Sequence, residues 1–355
     1  MKKTLFKEHG QSVVLVTLLL VGMVAMMGLI FDGGNAYLQR RRMQNAADAA
    51  ALAGGRELAL AISANDTSGA AEIRVRNAIR NYFQANGGNL SANNLQMTFV
   101  NPQGQPTGII GAYNGIPPNT SGVSVTTATN FQTFFLTVLN VDTGRVDARA
   151  LVQTGQPTGM TNLFPLAVPT GTLTTNTPPP AGQCNFNYPA PCQVWGESKG
   201  KDEASRGWTT FKVCGGGSNY LQNILDGTAS SGVVKVGDSI CTETGSIDAL
   251  SDSLRPWIGK DVIIPIYDCT NADKNCPNYE NQNQGTNLKY RVAAFAVFTF
   301  KGFYFSNNNS GGNTNCNPIT NKYLCGQFKR WATTATDIDV TKQCVYGLCG
   351  FQMWQ

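Results

Sequence analysis

The chain has 355 residues, of which 42% are hydrophobic and only 14% charged, against about 25% charged in ordinary soluble domains. That length holds a membrane segment and about two folded domains of ~100–200 residues, and Gly, Asn, Thr and Ser in place of charge suit β-rich, loop-rich domains. A net charge of +5, with basic residues scattered apart from Arg40-Arg41-Arg42, argues against a nucleic-acid-binding surface.

Lys2, Lys3 and Lys7 precede an uncharged run from Gly10 to Phe31. At 1.5 Å per residue the run is ~33 Å long, enough to cross a hydrocarbon core of ~30 Å. Ser12, Thr17, Gly22 and Gly28 do not spoil it, because small residues are common where membrane helices pack closely. Residues 10–31 are therefore expected to form a transmembrane helix and residues 1–9 a cytoplasmic tail. Removal as a signal peptide stays open, since Gly34-Asn35-Ala36 fits a small-x-small cleavage site, although signal peptides have shorter apolar stretches of ~7–15 residues. A buried core helix is the other alternative. The positive-inside rule sets three lysines against Arg40, Arg41 and Arg42 and gives a tie.

After Asp32-Gly33-Gly34, a segment rich in Ala, Leu, Gln, Arg and Met predicts a helix that restarts beyond the glycine pair and runs toward Gly54-Gly55, or on to Ile62. Its alanine face, Ala46 to Ala53, suits either assembly against another helix or packing on its own domain. Gly10-Gln11-Ser12, the apolar run, Leu29-Ile30-Phe31-Asp32-Gly33-Gly34, Tyr37-Leu38 and the string Gln44-Asn45-Ala46-Ala47-Asp48-Ala49-Ala50-Ala51-Leu52-Ala53-Gly54 together resemble the N-terminal Tad domain of TadE/TadG-like proteins from the tight-adherence (Flp) pilus machinery. The resemblance covers residues 10–58, with Gly10, Asp32 and Gln44 to Ala53 as its motif. It implies a membrane anchor with a helical extension, and a role in assembling or anchoring pili. The implied partners are the lipid bilayer and other Tad pilus-assembly or pilin-like subunits. Prepilin-like members carry a Glu five residues past a cleavage Gly; counted from Gly10, that position is Leu15. The chain is thus more similar to an accessory TadG-type component than to a polymerising pilin.

In residues 65–155, Ala71, Val75, Ala78, Ile79, Tyr82 and Phe83 recur at helical spacing, and Asn86-Gly87-Gly88 marks a stop. Strands are expected at Leu95–Val100, Gly122–Thr129, Phe131–Leu139 and Arg145–Thr154, giving an α+β membrane-proximal domain. Residues 156–183, with Pro157, Pro165, Pro169 and Pro178-Pro179-Pro180, read as a stiff Pro/Thr-rich linker, within which Leu166-Ala167-Val168 suits the first strand of the next domain.

Residues 184–355 read as a mainly β domain. Strands are expected at Val233–Ile240, Asp261–Tyr267 and Leu288–Phe305, and short helices at Asn219–Asp226, capped by Ser218, and Ser246–Leu254. A compact barrel-like or sandwich domain with local disulfide clips follows. All ten cysteines lie here: Cys184, Cys192, Cys214, Cys241, Cys269, Cys276, Cys316, Cys325, Cys344 and Cys349. The pairs 184/192, 269/276, 316/325 and 344/349 are closely spaced, and no C-x-x-C occurs. Disulfides in an oxidising compartment are the expectation, against buried free thiols or a metal site, with pairing open. If they form, the bulk of the chain is extracytoplasmic and the N-terminus is inside, in a single-pass protein of the cytoplasmic (inner) membrane.

The fold class is then α+β: an N-terminal transmembrane helix with a helical extension, an α+β membrane-proximal domain and a disulfide-containing mainly β domain. No catalytic, cofactor or metal site is expected. The single histidine, His9, precedes the apolar run, so a Ser-His-Asp or Cys-His site has no imidazole in a folded cleft. Cys214-Gly-Gly-Gly-Ser218 lacks the G-K-[ST] of a phosphate loop and reads as a tight turn, with an anion site as the alternative. Lys201-Asp202-Glu203 reads as an exposed loop. The expected function is structural, in pilus assembly or its envelope anchoring; the alternative is an adhesin or ligand-binding protein that uses the Tad segment only as an anchor.

Overall fold

The computed structural model describes residues 11–91, 94–196, 207–243, 248–280, 288–318, 321–335, 337–342 and 344–354. The expected tail with His9, Gly10, Lys201-Asp202-Glu203 and the start of the expected helix at Ser246 lie outside these. The architecture is α+β: a long apolar N-terminal helix, then mostly β structure stapled by five disulfides. Two compact units are present. One is Met1–Gly54, Glu72–Val152 and Met353–Gln355; the other is Gly55–Ala71 and Gln153–Gln352.

Helix α1, Gln11–Ser63, runs without a break. The expected restart after Gly33-Gly34 does not occur. Each glycine costs a helix about 1 kcal/mol relative to Ala, but good helix formers follow, and the flanking Asp32 and Asn35 bond to a loop that braces the turn between them. The helix stops where Asn65 turns left-handed at φ 52°; Asp66 N–H donates to Ala61 C=O and Asn65 N–H to Ile62 C=O, a Schellman ending.

Helix α2, Gly69–Ala85, starts with the Ser68 hydroxyl accepting from Ala71 N–H. It buries Ala71, Val75, Ile79 and Phe83 completely. Its end is a second Schellman motif, with Gly87 at φ 90° and Gly88 N–H bonded to Phe83 C=O, so the glycine stop is where the sequence places it. Strands β1 (Gln96–Val100), β2 (Pro106–Ile109), β3 (Gly122–Gln132) and β4 (Thr143–Met160) follow, in sheet order β4-β3-β1-β2. Phe99, Val100, Val123, Val125, Ala150 and Val152 are buried; alternation is confined to Ala148, Ala150 and Val152 of β4, whereas Gly122 to Val125 of β3 are buried consecutively. The expected strand Phe131–Leu139 is a correction: β3 ends at Gln132, and Leu136–Leu139 is a 3-10 turn closed by Asn140 at φ 60°.

In the second unit, β5 (Leu166–Pro169) lies inside the expected linker and pairs with two later strands in a barrel. The remaining elements are β6 (Cys192–Gly196), β7 (Gly207–Phe211), α3 (Gly217–Leu225), β8 (Val234–Lys235), β9 (Ser239–Glu243), α4 (Ser251–Leu254), β10 (Asp261–Thr270), β11 (Lys289–Ser306), β12 (Asn309–Gly312), β13 (Tyr323–Lys329), β14 (Trp331–Thr334), β15 (Asp337–Asp339) and β16 (Leu348–Met353). Strands β5, β7, β9, β11 and β10 pair in that order, and β10 pairs back onto β5, closing a ring. Closure removes open strand edges. Strand β11 also carries β13 and β12, with bulges where it changes partners. It is buried on both faces: Ala294, Ala296, Phe298 and Phe300 point into one cluster, Val292, Phe295 and Val297 into another. That explains its nearly unbroken apolar sequence.

Two local readings change. Val233–Ile240 is two short strands, because Gly237 at φ 91° and the Asp238 carboxylate, accepting from Lys235 N–H, fold a turn between them. Ser218 does not cap α3; Gly217 N–H instead donates to Glu243 Oε2 at 3.0 Å, placing a carboxylate from β9 where an anion would have bound.

Candidate anchoring and assembly segment

The segment is the first unit's share of α1. From Val13 to Phe31 most of its large apolar side chains are exposed, Leu15 at 67% and Met26 at 70% among them. This helix is long and apolar enough to cross a membrane.

Asp32 ends the apolar run, and its carboxylate is buried rather than solvated. Oδ1 accepts from Phe134 N–H at 2.8 Å, and Oδ2 from Phe135 and Leu136 N–H at 3.0 and 2.8 Å. Asn35 adds a longer bond, at 3.4 Å, to Gln132 C=O. The loop held this way packs closely: Phe135 stacks on Phe31 with centroids 5.4 Å apart, and a Cβ on Gly28 would lie 3.3 Å from Phe135 Cβ. Gly28 is therefore a contact point, and Asp32 a staple for the loop between β3 and β4. The sequence motif contains Asp32 but nothing that names its partners a hundred residues away.

One turn of helix chemistry repeats further along. Gln44 Nε2 donates to Asp48 Oδ1 at 2.7 Å and to Arg149 C=O of β4 at 3.0 Å. Ala46, Ala47, Ala50 and Ala51 have no exposed surface, and a Cβ at Gly54 would lie 2.5 Å from Ile79 Cγ1 and 3.5 Å from Val123 Cγ2. Of the two uses open for the alanine face, packing on its own domain is the one realised, since small residues let α1 lie close to α2 and β3. Ala49, Leu52 and Ala53 are partly covered, and Asn45 is exposed. Tyr37, Leu38 and Arg41 are exposed on the same helical face as Asn45.

A buried carboxylate that sequence reasoning missed supports the same unit. Glu72 on α2 accepts from Gly111, Tyr113 and Gly115 N–H at 2.7, 3.0 and 2.8 Å. Burial works against its ionised form, but these backbone donors outweigh it and hold its pKa below the ordinary value of 4.5.

The cysteines pair as 184–192, 214–241, 269–276, 316–325 and 344–349, leaving no free thiol. They clip loops of the second unit and converge on no common centre. Among the described residues, no cluster of three or more His, Cys, Asp or Glu could hold a metal ion.

No curated protein and no solved structure matches the chain. Residues 10–57, by contrast, match the family model described as putative Flp pilus-assembly TadE/G-like, and that stretch holds both the stapled Asp32 and the buried alanine face.

Proposed function

We propose that this chain is a membrane-anchored structural component of Flp (tight-adherence) pilus assembly, or of its envelope anchoring, and not an enzyme. The observation that carries the reading is the two-part character of one uninterrupted helix inside the Tad match. Its first part leaves most of its large apolar side chains exposed, and its second part buries alanines against folded protein. A lipid environment makes the first part favourable, because an exposed apolar helix in water costs about 25 cal/mol for every Å² left wet.

On this reading the N-terminus is inside, α1 crosses the cytoplasmic membrane, and both units are outside. Five disulfides favour an oxidising compartment, and Arg40, Arg41 and Arg42 lie ~13 Å beyond Phe31, within reach of outer-leaflet phosphates. The partners are the bilayer and other Tad pilus-assembly or pilin-like subunits. With the alanine face already used internally, Tyr37, Leu38, Arg41 and Asn45 form one exposed face of the segment open to those subunits.

A clean deletion tests the function. Loss of surface pili with restoration by the full chain is the expected result, and normal piliation in the deletion strain rejects it. An adhesin using the segment only as an anchor would instead leave pili intact and lose surface or glycan binding.

A further inference from the structure

The stapled loop is apolar and lies against the apolar part of α1. Its sequence, Thr133-Phe134-Phe135-Leu136-Thr137-Val138-Leu139-Asn140-Val141, is apolar for a connection between two strands, and such loops are ordinarily polar. Phe134 is 69% exposed and Val141 45%, while Phe135 and Leu136 between them lie against the apolar helix. The height of the contact matters most. Leu136 and Phe135 share a cavity wall with Leu20, Val21, Val24, Ala25 and Gly28, positions that lie ~4–16 Å back from Phe31 toward the centre of the apolar run. If that run is in lipid, side chains at this level are in lipid too.

The backbone is prepared for that solvent. A chain segment entering hydrocarbon must satisfy its own N–H and C=O groups, because no water is there to do it. Asp32 accepts from the N–H groups of Phe134, Phe135 and Leu136. Thr137 Oγ1 donates to Phe134 C=O at 2.7 Å, Asn140 N–H to Thr137 C=O and Val141 N–H to Leu136 C=O. Thr133 closes the loop at its base, its N–H donating to Asp142 C=O and its hydroxyl to Val141 C=O. Phe134 and Val141 face outward from this bonded backbone together with the polar Thr137 and Asn140, and the apolar pair suits a segment solvated by acyl chains.

We infer that residues 133–141 form a second membrane-inserting element, immersed in the outer-leaflet hydrocarbon beside α1 and fixed there by Asp32, so that the first unit grips the bilayer at two points. This inference rests on the anchor reading above, and its occupant is lipid, not a second protein chain.

The test uses the full chain in phosphatidylcholine/phosphatidylglycerol vesicles, with the photoreactive residue p-benzoylphenylalanine placed in turn at Leu19, Phe134 and the exposed Tyr113, and adducts read by mass spectrometry. Lipid adducts at Leu19 and Phe134, with none at Tyr113, are expected. An adduct at Leu19 without one at Phe134 overturns the loop insertion while leaving the anchor intact. Adducts from Phe134 to a second copy of the chain also overturn it, making the loop a protein interface. Absence of lipid at Leu19 removes the anchor reading and this inference with it.

Discussion

The two units are held together by different means. The first contains no cysteine and closes its long connections with carboxylates: Asp32 gathers the amides of residues 134–136, and Glu72 those of residues 111–115. Its helix packing depends on residues too small to collide, Ala46, Ala47, Ala50, Ala51 and Gly54. The second unit wraps an aromatic core, Phe164 against Trp208, Trp257, Phe298 and Phe300, inside a closed barrel and clips its loops with disulfides. The contrast teaches that redox state governs only one of them. A reducing environment should loosen the barrel's loops and leave the helix-and-sheet unit standing.

The largest expected effect breaks the second unit alone. Replacing Cys214 and Cys241 by Ser removes a bond spanning 27 residues and should cost about 3–4 kcal/mol by loop entropy, seen as a lower thermal midpoint for the barrel with membrane attachment unchanged. Next, Ala50→Leu puts a large side chain into the closed α1 interface and should destabilise the first unit by about 1–3 kcal/mol, measured by chemical unfolding. If that variant is as stable as the parent, the alanine face is not packed internally.

Glu72→Gln weakens charge-assisted bonds to backbone donors and should cost about 1.5–3 kcal/mol. Because the folded pKa of Glu72 is lowered, its contribution is fully present above 4.5 and is lost as pH falls through the folded value. The parent's first unit should lose stability in acid below 4.5, and the glutamine variant should show a shallower slope there. Asp32→Ala should leave the helix inserted but expose the amides of Phe134, Phe135 and Leu136 to hydrogen exchange. The smallest effect on stability, within about 0.5 kcal/mol, belongs to Arg41→Ala and Leu38→Ala. These should nevertheless reduce pilus assembly, since they alter a face open to partner subunits.

Periodic features were legible in the sequence and long-range ones were not. The apolar run, the stripe of α2 with its Gly87-Gly88 stop, and the apolar β10 and β11 announce themselves by local pattern. Gly33-Gly34 misled because glycine's helix penalty is local, while the bonds of Asp32 and Asn35 that brace the turn come from a distant loop. That loop reads as a strand by β-propensity, since Phe, Leu and Val favour strands, until Asn140 takes the left-handed conformation and Asp32 claims its amides. Cysteine spacing is informative for bonds closing five to nine residues. Cys214–Cys241 depends instead on how β7 pairs with β9, which no short window displays. In the assembly segment, the string from Gln44 to Gly54 declared itself as a unit, but which way its alanines face followed only from Ile79 and Val123.

Topology and redox state bear most directly on the whole account, and one measurement reads both: protease digestion of spheroplasts after thiol blocking, with non-reducing mass mapping of the fragments. Digestion of residues 184–355 from outside, with all ten cysteines in disulfides and residues 11–31 left in the membrane pellet, is the result predicted. Recovery of an intact, protease-protected chain carrying ten reactive thiols, or of a freely soluble one, would contradict it.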